Sequence, residues 1–232
     1  MKKIGIIGAM DVEVEELINS MTIEHKVTKA GMDFCEGTLN GAKVVVVKCG
    51  VGKVNSAICV QILKDEFDVS NIINTGVAGS LNADLNIGDI LISKEAIHHD
   101  VDVSVFGYAL GQVPSMIREF PADESMMKLA KEVCERVNPD ISCVIGRVVS
   151  GDQFICKPEQ KAHLKEEFQG DCAEMEGASI AHVAYLNEIP FVIIRAISDK
   201  ADGSDIEDYP TFEKKAAKHC ALFVKEFVKE YV

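Results

Sequence analysis

The stretch that decides the fold is residues 44–74, VVVVKCGVGKVNSAICVQILKDEFDVSNIIN. It begins with four valines, and an unbroken β-branched run is typical of a strand that is buried on both faces. Apolar residues then recur at helical spacing over residues 51–67, and a second apolar run occupies residues 71–74. Strand, helix and strand in this order predict a right-handed crossover between two parallel strands.

The same alternation continues through the rest of the chain. Strands are predicted at residues 4–7, 90–97, 142–150, 172–175 and 191–197. Helices are predicted at residues 11–21, 123–137, 158–168, 177–187 and 210–231. No repeat, low-complexity tract or flexible linker interrupts the pattern, so we expect one α/β domain over residues 1–232 with a twisted, mostly parallel central sheet flanked by helices. The irregular residues 98–121 predict a functional loop or an interface.

Charge and cysteine content narrow the partners and the compartment. The 232 residues include 24 Lys and Arg against 37 Asp and Glu, a formal net charge of −13. This acidic excess argues against nucleic acid and against a membrane surface as partners, because both need a basic face. The eight cysteines form no C-x-x-C pair, which predicts a reducing compartment and no zinc site. Neither a signal sequence nor a membrane-spanning run is recognisable, so we expect a cytoplasmic protein.

Phosphate-binding and metal-binding patterns are incomplete. In residues 47–54 valine replaces both the first glycine and the Ser/Thr of a P-loop. Gly5 and Gly8 lack the G-x-G-x-x-G spacing, and the acids after them would repel a pyrophosphate. His98 and His99 are adjacent and would point to opposite faces of a strand, which favours a polar strand end over a metal site. We therefore expect no cofactor and no metal.

Paired acids at a strand end are the first candidates for a site. Glu174 and Glu176 flank Met175, and period-two spacing aims both carboxylates to one side of the strand. Gly177 and a predicted helix follow, and open α/β sheets bind their ligands at this edge. Glu176 could instead neutralise only the start of that helix, and the spacing does not decide between the two interpretations.

Other charged residues stand at comparable strand ends. Arg195 lies in an apolar strand and needs a carboxylate partner, for which Glu13, Glu174, Glu176 and Asp199 are the candidates. Asp199 could also be a simple N-cap, and Glu13 a solvated acid in the first turn of a helix. Residues 74–79, NTGVAG, predict a glycine-containing turn that presents backbone N–H groups to a ligand. Their expected convergence on one sheet edge favours a functional site.

Six segments together resemble the 5′-methylthioadenosine/S-adenosylhomocysteine nucleosidases of the purine and uridine phosphorylase superfamily. They are IGIIGAM at 4–10, NTGVAG at 74–79, FGY at 106–108, SGDQFI at 150–155, AEMEGA at 173–178 and RAISD at 195–199. They span nearly the whole chain in order. The resemblance implies a nucleoside phosphorylase-like fold and hydrolysis of the bond between adenine and a 5′-thio-substituted ribose, with 5′-deoxyadenosine and aminofutalosine-type nucleosides as further candidate substrates.

The resemblance also implies roles for the charged residues. Asp199 is the expected general acid for the departing adenine, and a pocket that excludes water would raise its pKa for that task. Glu13 is the expected base for water. Glu176 is expected to hold the ribose hydroxyls above Met175, and Arg195 to steady the water and the acids. Such a cleavage passes through an oxocarbenium-like sugar, which negative charge stabilises.

Binding residues are implied in the same way. Phe154 resembles the aromatic partner of adenine, and the backbone of Ile155 its hydrogen-bonding edge. The apolar lining for the 5′ group corresponds to Met10, Val51, Tyr209 and Phe212. Further substrate-binding positions are Val77, Ala78, Gly79, Glu174 and Ser198. Residues lent to the pocket of a neighbouring subunit correspond to Val103, Phe106 and Pro114, which implies a homodimer.

One position departs from the family. Val77 stands where many members carry serine, and loss of that hydroxyl removes a hydrogen bond worth about 1 kcal/mol at the water site. We expect the rate to differ and the reaction class to be kept.

Two rival functions remain open at the level of sequence. A phosphorolytic nucleoside phosphorylase would need a cationic cradle for phosphate, yet residues 9–13 contain no Arg or Lys. A non-catalytic nucleoside-binding protein would lack the acid or the base, yet Asp199 and Glu13 are both present. Both comparisons favour the hydrolase.

Overall fold

The computed structural model describes the backbone of residues 2–201 and 209–231, and side chains for residues 2–201 and 211–231. The described helices are α1 (Asp11–Ser20), α2 (Lys53–Phe67), α3 (Glu124–Val137), α4 (Pro158–Phe168), α5 (Gly177–Leu186) and α6 (Tyr209–Tyr231). The described strands are β1 (Lys3–Gly8), β2 (Thr22–Lys29), β3 (Met32–Leu39), β4 (Ala42–Lys48), β5 (Asn71–Ser80), β6 (Ile90–His98), β7 (Phe120–Pro121), β8 (Cys143–Ser150), β9 (Cys172–Glu174) and β10 (Phe191–Asp199).

The predicted α/β architecture is confirmed, with a central sheet flanked by helices. Parallel pairing joins β4, β1, β5 and β10 in the centre and β6, β8 and β9 beside it. Antiparallel pairs occur where β10 meets β6, where β5 meets β9, and in the β2–β3–β4 extension. Because β10 pairs with both β5 and β6, and β9 with both β8 and β5, five strands close into a ring.

The valine run of β4 shows why the sheet is covered on both faces. Val44 and Val46 pack into one apolar cluster with residues of α1, α3 and α6. Val45 and Val47 point the other way, into a cluster with residues of α2 and α5. All four valines are fully buried, as expected for a strand between two helical layers.

Two sequence-based expectations change in detail. The antiparallel β2 and β3 were not predicted. β2 is exposed along most of its length and carries no apolar alternation, whereas β3 has a buried face but its sequence also contains polar residues and a glycine. Residues 74–79 are not a turn: they continue β5 as far as Ser80. The glycines of this segment leave room for neighbouring side chains, since a Cβ at Gly76 would collide with Glu13.

The remaining features concern exposure and compartment. Residues 98–121 contain one short 3₁₀ helix, Ser104–Phe106, and the two-residue β7. No helix in the described residues is both long and apolar enough to cross a lipid bilayer. All eight cysteines are free thiols, and the reducing, cytoplasmic compartment stays a prediction.

Candidate active site

A cavity of about 270 Å³ lies where the parallel strands β1, β5 and β10 end. The strand β9 brings its last residue to the same place, although it runs antiparallel to β5. The predicted site residues that line this cavity are Met10, Glu13, Val51, Val77, Ala78, Gly79, Phe154, Ile155, Glu174, Met175, Glu176, Ser198 and Asp199. The expected convergence on one sheet edge is therefore observed.

Four lining residues were not among the predicted ones. Ala9, Gln153 and Ala173 also line the cavity, and each lies inside a segment that carries the family resemblance. Glu213 of α6 is the fourth, and it brings a further carboxylate. No local pattern distinguishes Glu213 from the other charged residues of α6, so only the folded chain reveals it.

Glu13 is buried rather than solvated, with 4% of its surface exposed. Its Oε2 accepts hydrogen bonds from the backbone N–H groups of Ala9 at 2.6 Å and Met10 at 3.0 Å, as the third helical residue does in a capping box. Its Oε1 accepts from the N–H of Val77 at 3.0 Å. Burial raises the pKa of Glu13, while the charge of Arg195 and these N–H groups lower it, and the net shift is upward.

Arg195 selects Glu174 among the four candidate partners. Its Nη2 lies 2.5 Å from Glu174 Oε2, and both side chains are almost completely buried. Burial opposes ionisation of Glu174, but Arg195 and the Ser150 hydroxyl outweigh it and hold its pKa below the usual value. Burial likewise opposes the charge of Arg195, yet Glu174, Glu13 and Glu176 raise its pKa. The pair is therefore ionised.

Glu176 has a different environment two residues later. Its Oε1 accepts a hydrogen bond from the N–H of Gly52 at 2.8 Å. Burial, reinforced by the negative charge of Glu174, raises its pKa to about 8. The suggestion that Glu176 neutralises the following helix is wrong: both carboxylate oxygens of Glu174 accept from the N–H of Gly177, at 2.9 and 2.8 Å. Glu174 takes that role, and Glu176 is left facing the cavity.

Asp199 ends β10 and has 9% of its surface exposed. Its Oδ1 accepts from the N–H of Ala201 at 2.7 Å, which is the turn-stabilising contact that the sequence offered as one interpretation. Its Oδ2 accepts from the hydroxyl of Ser198 at 2.9 Å. Because Asp199 also lines the cavity, the two interpretations hold together: the turn contact fixes a carboxyl group that faces the ligand space.

The apolar part of the cavity is partly open. Ile155 is 7% exposed, whereas Phe154 is 49% and Val51 is 47% exposed. Met10 and Met175 are half-buried. A half-exposed aromatic ring and half-exposed aliphatic side chains are suited to bind the apolar end of a ligand.

Some predicted residues do not line the cavity. Arg195 lies behind it, in contact with Glu174. Phe212 is half-buried on α6 and is not in the lining. The side chain of Tyr209 lies outside the part of the chain that the structure describes. The residues expected to serve a partner subunit are solvent-exposed or half-buried on the loop: Val103, Phe106 and Pro114.

His98, which the sequence placed beside His99 as a possible metal ligand, contacts His182 in the structure. His98 Nε2 lies 3.3 Å from His182 Nδ1, and Asp100 forms an ion pair with Lys53 at 2.5 Å. Burial lowers the pKa of His98 to about 4, so this ring is neutral. Across the described ranges, no group of three or more His, Cys, Asp or Glu side chains is placed to hold a metal ion.

Comparison with known proteins gives one consistent result. The family model of the phosphorylase superfamily matches residues 3–229. A 5′-methylthioadenosine/S-adenosylhomocysteine nucleosidase from Geobacillus sp. (strain WCH70) is 42% identical over 227 residues, which are 97% of each chain. The Neisseria meningitidis nucleosidase of the same name, in complex with methylthio-immucillin-A, matches with a TM-score of 0.95 and 39% identity over 99% of both chains.

A structural neighbour with a different named activity has the same fold. The futalosine hydrolase of Helicobacter pylori strain 26695 matches with a TM-score of 0.93 and 35% identity, over 99% of this chain and 98% of that one. Full-length similarity at this level extends through every strand and helix that forms the cavity. The chain belongs to the phosphorylase superfamily and, within it, to the 5′-methylthioadenosine/S-adenosylhomocysteine nucleosidases, which are hydrolases.

Proposed function

We propose that this enzyme hydrolyses the N-glycosidic bond of 5′-methylthioadenosine and S-adenosylhomocysteine, releasing adenine and the 5′-substituted ribose. The names of its relatives support the substrates. The observation that carries the reaction type is the charge of the cavity. Its described lining contains no Lys or Arg and five carboxyl groups, those of Glu13, Glu174, Glu176, Asp199 and Glu213.

Loss of a purine from a ribose makes three demands on a site. The departing base needs a proton, the oxocarbenium-like sugar needs negative charge beside it, and the attacking water needs a base. Asp199 gives its proton to a ring nitrogen of adenine as the bond to the anomeric carbon breaks. Water then bonds to that carbon, and Glu13 accepts its proton. The turn contact of Asp199 and the three N–H contacts of Glu13 support these roles because they fix both carboxyl groups.

Glu174 and Glu176 divide the remaining tasks at the sugar. Glu174, ionised by its contact with Arg195, supplies fixed negative charge at the sugar. Glu176, with a pKa of about 8, is mostly protonated near neutral pH and offers the ribose hydroxyls both a donor and an acceptor. As positive charge develops on the sugar, ionisation of Glu176 becomes less costly.

Water, not phosphate, is the acceptor in this proposal. A phosphate dianion would enter a space lined by carboxylates, and the nearby cation, Arg195, already contacts Glu174 and Asn74. We expect 5′-methylthioadenosine to yield adenine at the same rate in phosphate-free and phosphate-containing buffer. Chromatography of the products should show free methylthioribose, and a methylthioribose 1-phosphate product would place the enzyme on the phosphorolytic branch.

The acid and the base are tested by the amide variants Asp199→Asn and Glu13→Gln. Each keeps the shape of the side chain and removes its proton chemistry, so we expect kcat to fall by at least about 100-fold while adenine still binds. Turnover is measured by adenine release and binding by calorimetry. Glu124→Gln, on the exposed start of α3, is the control and should behave as wild type. A normal rate in either site variant would remove that residue from the mechanism.

The charges of Glu174 and Glu176 predict opposite effects on stability. Because the pKa of Glu176 is raised, the native state binds its proton more tightly than the unfolded chain, so stability falls as pH rises from about 4.5 to about 8. Glu176→Gln keeps an acceptor for Gly52 and cannot ionise. Thermal unfolding should therefore show a weaker pH dependence and a higher Tm above pH 8 than wild type.

Glu174→Gln is the matched comparison. It leaves Arg195 buried without its anion, and we expect a lower Tm at every pH above about 4. Parallel Tm curves for wild type and Glu176→Gln, or an unchanged Tm in Glu174→Gln, would contradict this division of charge.

We also propose a homodimer in which the loop of one subunit completes the cavity of the other. Val105 and Phe106 are 85% and 78% exposed on residues 98–121, and the rim residues Val51 and Phe154 are about half exposed. Neighbouring exposed apolar side chains on the loop and on the cavity rim support association, because soluble monomers rarely expose large contiguous apolar patches.

The dimer is tested by subunit complementation. Phe106→Ala should raise KM for 5′-methylthioadenosine, and Glu13→Gln should abolish turnover. A heterodimer of the two variants, purified through two different tags, contains one site with Glu13 intact and the partner loop intact. It should recover about half of the wild-type kcat/KM per dimer. A heterodimer no more active than its parents, or a monomer by analytical ultracentrifugation, would refute the shared site.

A further inference from the structure

Asn74 joins three strands behind the cavity without lining it. It is 1% exposed in the middle of β5, in register with Ile7 of β1 and Ile193 of β10. Its Nδ2 donates to the carbonyl of Ile7 at 3.0 Å, and its Oδ1 accepts from Arg195 Nη2 at 2.5 Å. Since Asn74 does not line the cavity, any effect it has on the reaction is indirect and passes through its two partners, Arg195 and Ile7.

Arg195 depends on this contact because a single nitrogen of its guanidinium has short bonds to side chains. Nη2 donates to both Asn74 and Glu174 at 2.5 Å. Nη1 reaches only the carbonyl of Ile194 at 3.4 Å, and Nε has no partner among the described residues. Two acceptors on Nη2 therefore determine the direction in which Nη1 points.

Nη1 and Glu13 approach each other beside Gly76. A Cβ at Gly76 would collide with Glu13 Oε1 and lie 3.0 Å from Arg195 Nη1, so both groups use the space that the glycine leaves. The charge of Arg195 lowers the pKa of Glu13, against the effect of burial. Among the described residues, Glu176, Cys49 and Cys220 also interact electrostatically with Glu13, and none of these three is a cation.

We propose that Asn74 is a positioning residue of the hydrolysis, which holds the Arg195 guanidinium so that Nη1 faces Glu13 and keeps that carboxylate ready to accept a proton from water. The inference rests on the proposed function, which makes Glu13 the base. Glu174 alone does not fix this geometry, because a guanidinium held by one acceptor turns about that contact. The attraction between two charges in a buried site decreases with their separation, so a small rotation weakens it.

The test is Asn74→Leu, which removes the acceptor at similar volume. We expect the acidic midpoint of the kcat/KM profile on 5′-methylthioadenosine to rise by about one pH unit, with a roughly tenfold loss on the acidic side of the wild-type midpoint and a small loss well above it. Asn71→Leu is the matched control, since Asn71 is 4% exposed in the same strand and donates to the Tyr231 hydroxyl instead. Asn71→Leu should lower Tm and leave the acidic midpoint of the kcat/KM profile unchanged.

A second readout does not need catalysis. The ¹³C shift of the Glu13 side-chain carboxyl, assigned with Glu13→Gln, should titrate at higher pH in ligand-free Asn74→Leu than in wild type. If wild type turns over and neither midpoint moves, Asn74 is merely structural and the inference fails. If wild type does not cleave the nucleoside, the proposed function fails while the titration still decides the inference. Should Asn74→Leu not fold, Asn74→Ser is judged by the same two midpoints.

Discussion

Arg195 and Glu174 form an ion pair that is almost fully removed from water, with 2.5 Å between Nη2 and Oε2. Removing two charges from water is unfavourable unless their remaining polar atoms find partners. Ser150, Gly177 and Asn74 supply partners here, while Nε of Arg195 has none among the described residues. Deleting one member of such a pair costs about 3–5 kcal/mol, since the other charge stays buried. The pair fixes where positive and negative charge lie in the site, and the pKa values of Glu13 and Glu176 respond to it.

Because of this ion pair, glutamate side chains with the same chemistry have different pKa values. Glu174 has the guanidinium as its direct partner and is ionised, whereas Glu176 lacks that contact, and burial and the charge of Glu174 raise its pKa to about 8. For Glu13, burial raises the pKa and Arg195 lowers it, and the net shift is upward. A set of acids with separated pKa values can serve as donor, acceptor and fixed charge in one reaction.

Glycines make this crowding of carboxyl groups sterically feasible. A Cβ at Gly76 would collide with Glu13, one at Gly79 would lie 2.8 Å from Asp199 Oδ1, and one at Gly177 would lie 3.0 Å from Glu174 Oε1. The sequence pattern around Gly76 and Gly79 predicts a turn, yet both glycines lie in a continuous strand. Pattern alone does not separate these uses, because a turn and a close approach both favour a residue without a side chain.

Periodicity predicted β4 and α2, which have a buried face, and missed both β2, which has almost none, and β3, whose sequence mixes apolar residues with polar residues and a glycine. Spacing brought Glu174 and Glu176 to one site but did not say which of them caps α5, because that depends on how the backbone turns at Glu176. Glu213 was missed, since it reaches the cavity from a distant helix. Local pattern identifies a strand end, and only tertiary packing assigns partners among the acids that meet there.

The central claim is that one ion pair divides the charge among the carboxyl groups of the cavity. Neutron diffraction from deuterated crystals of the ligand-free enzyme at neutral pH tests it most directly. We expect nuclear density for a deuteron on the Glu176 carboxyl group, none on Glu174, and a fully deuterated Arg195 guanidinium. A bare Glu176 or a deuterated Glu174 would contradict the account.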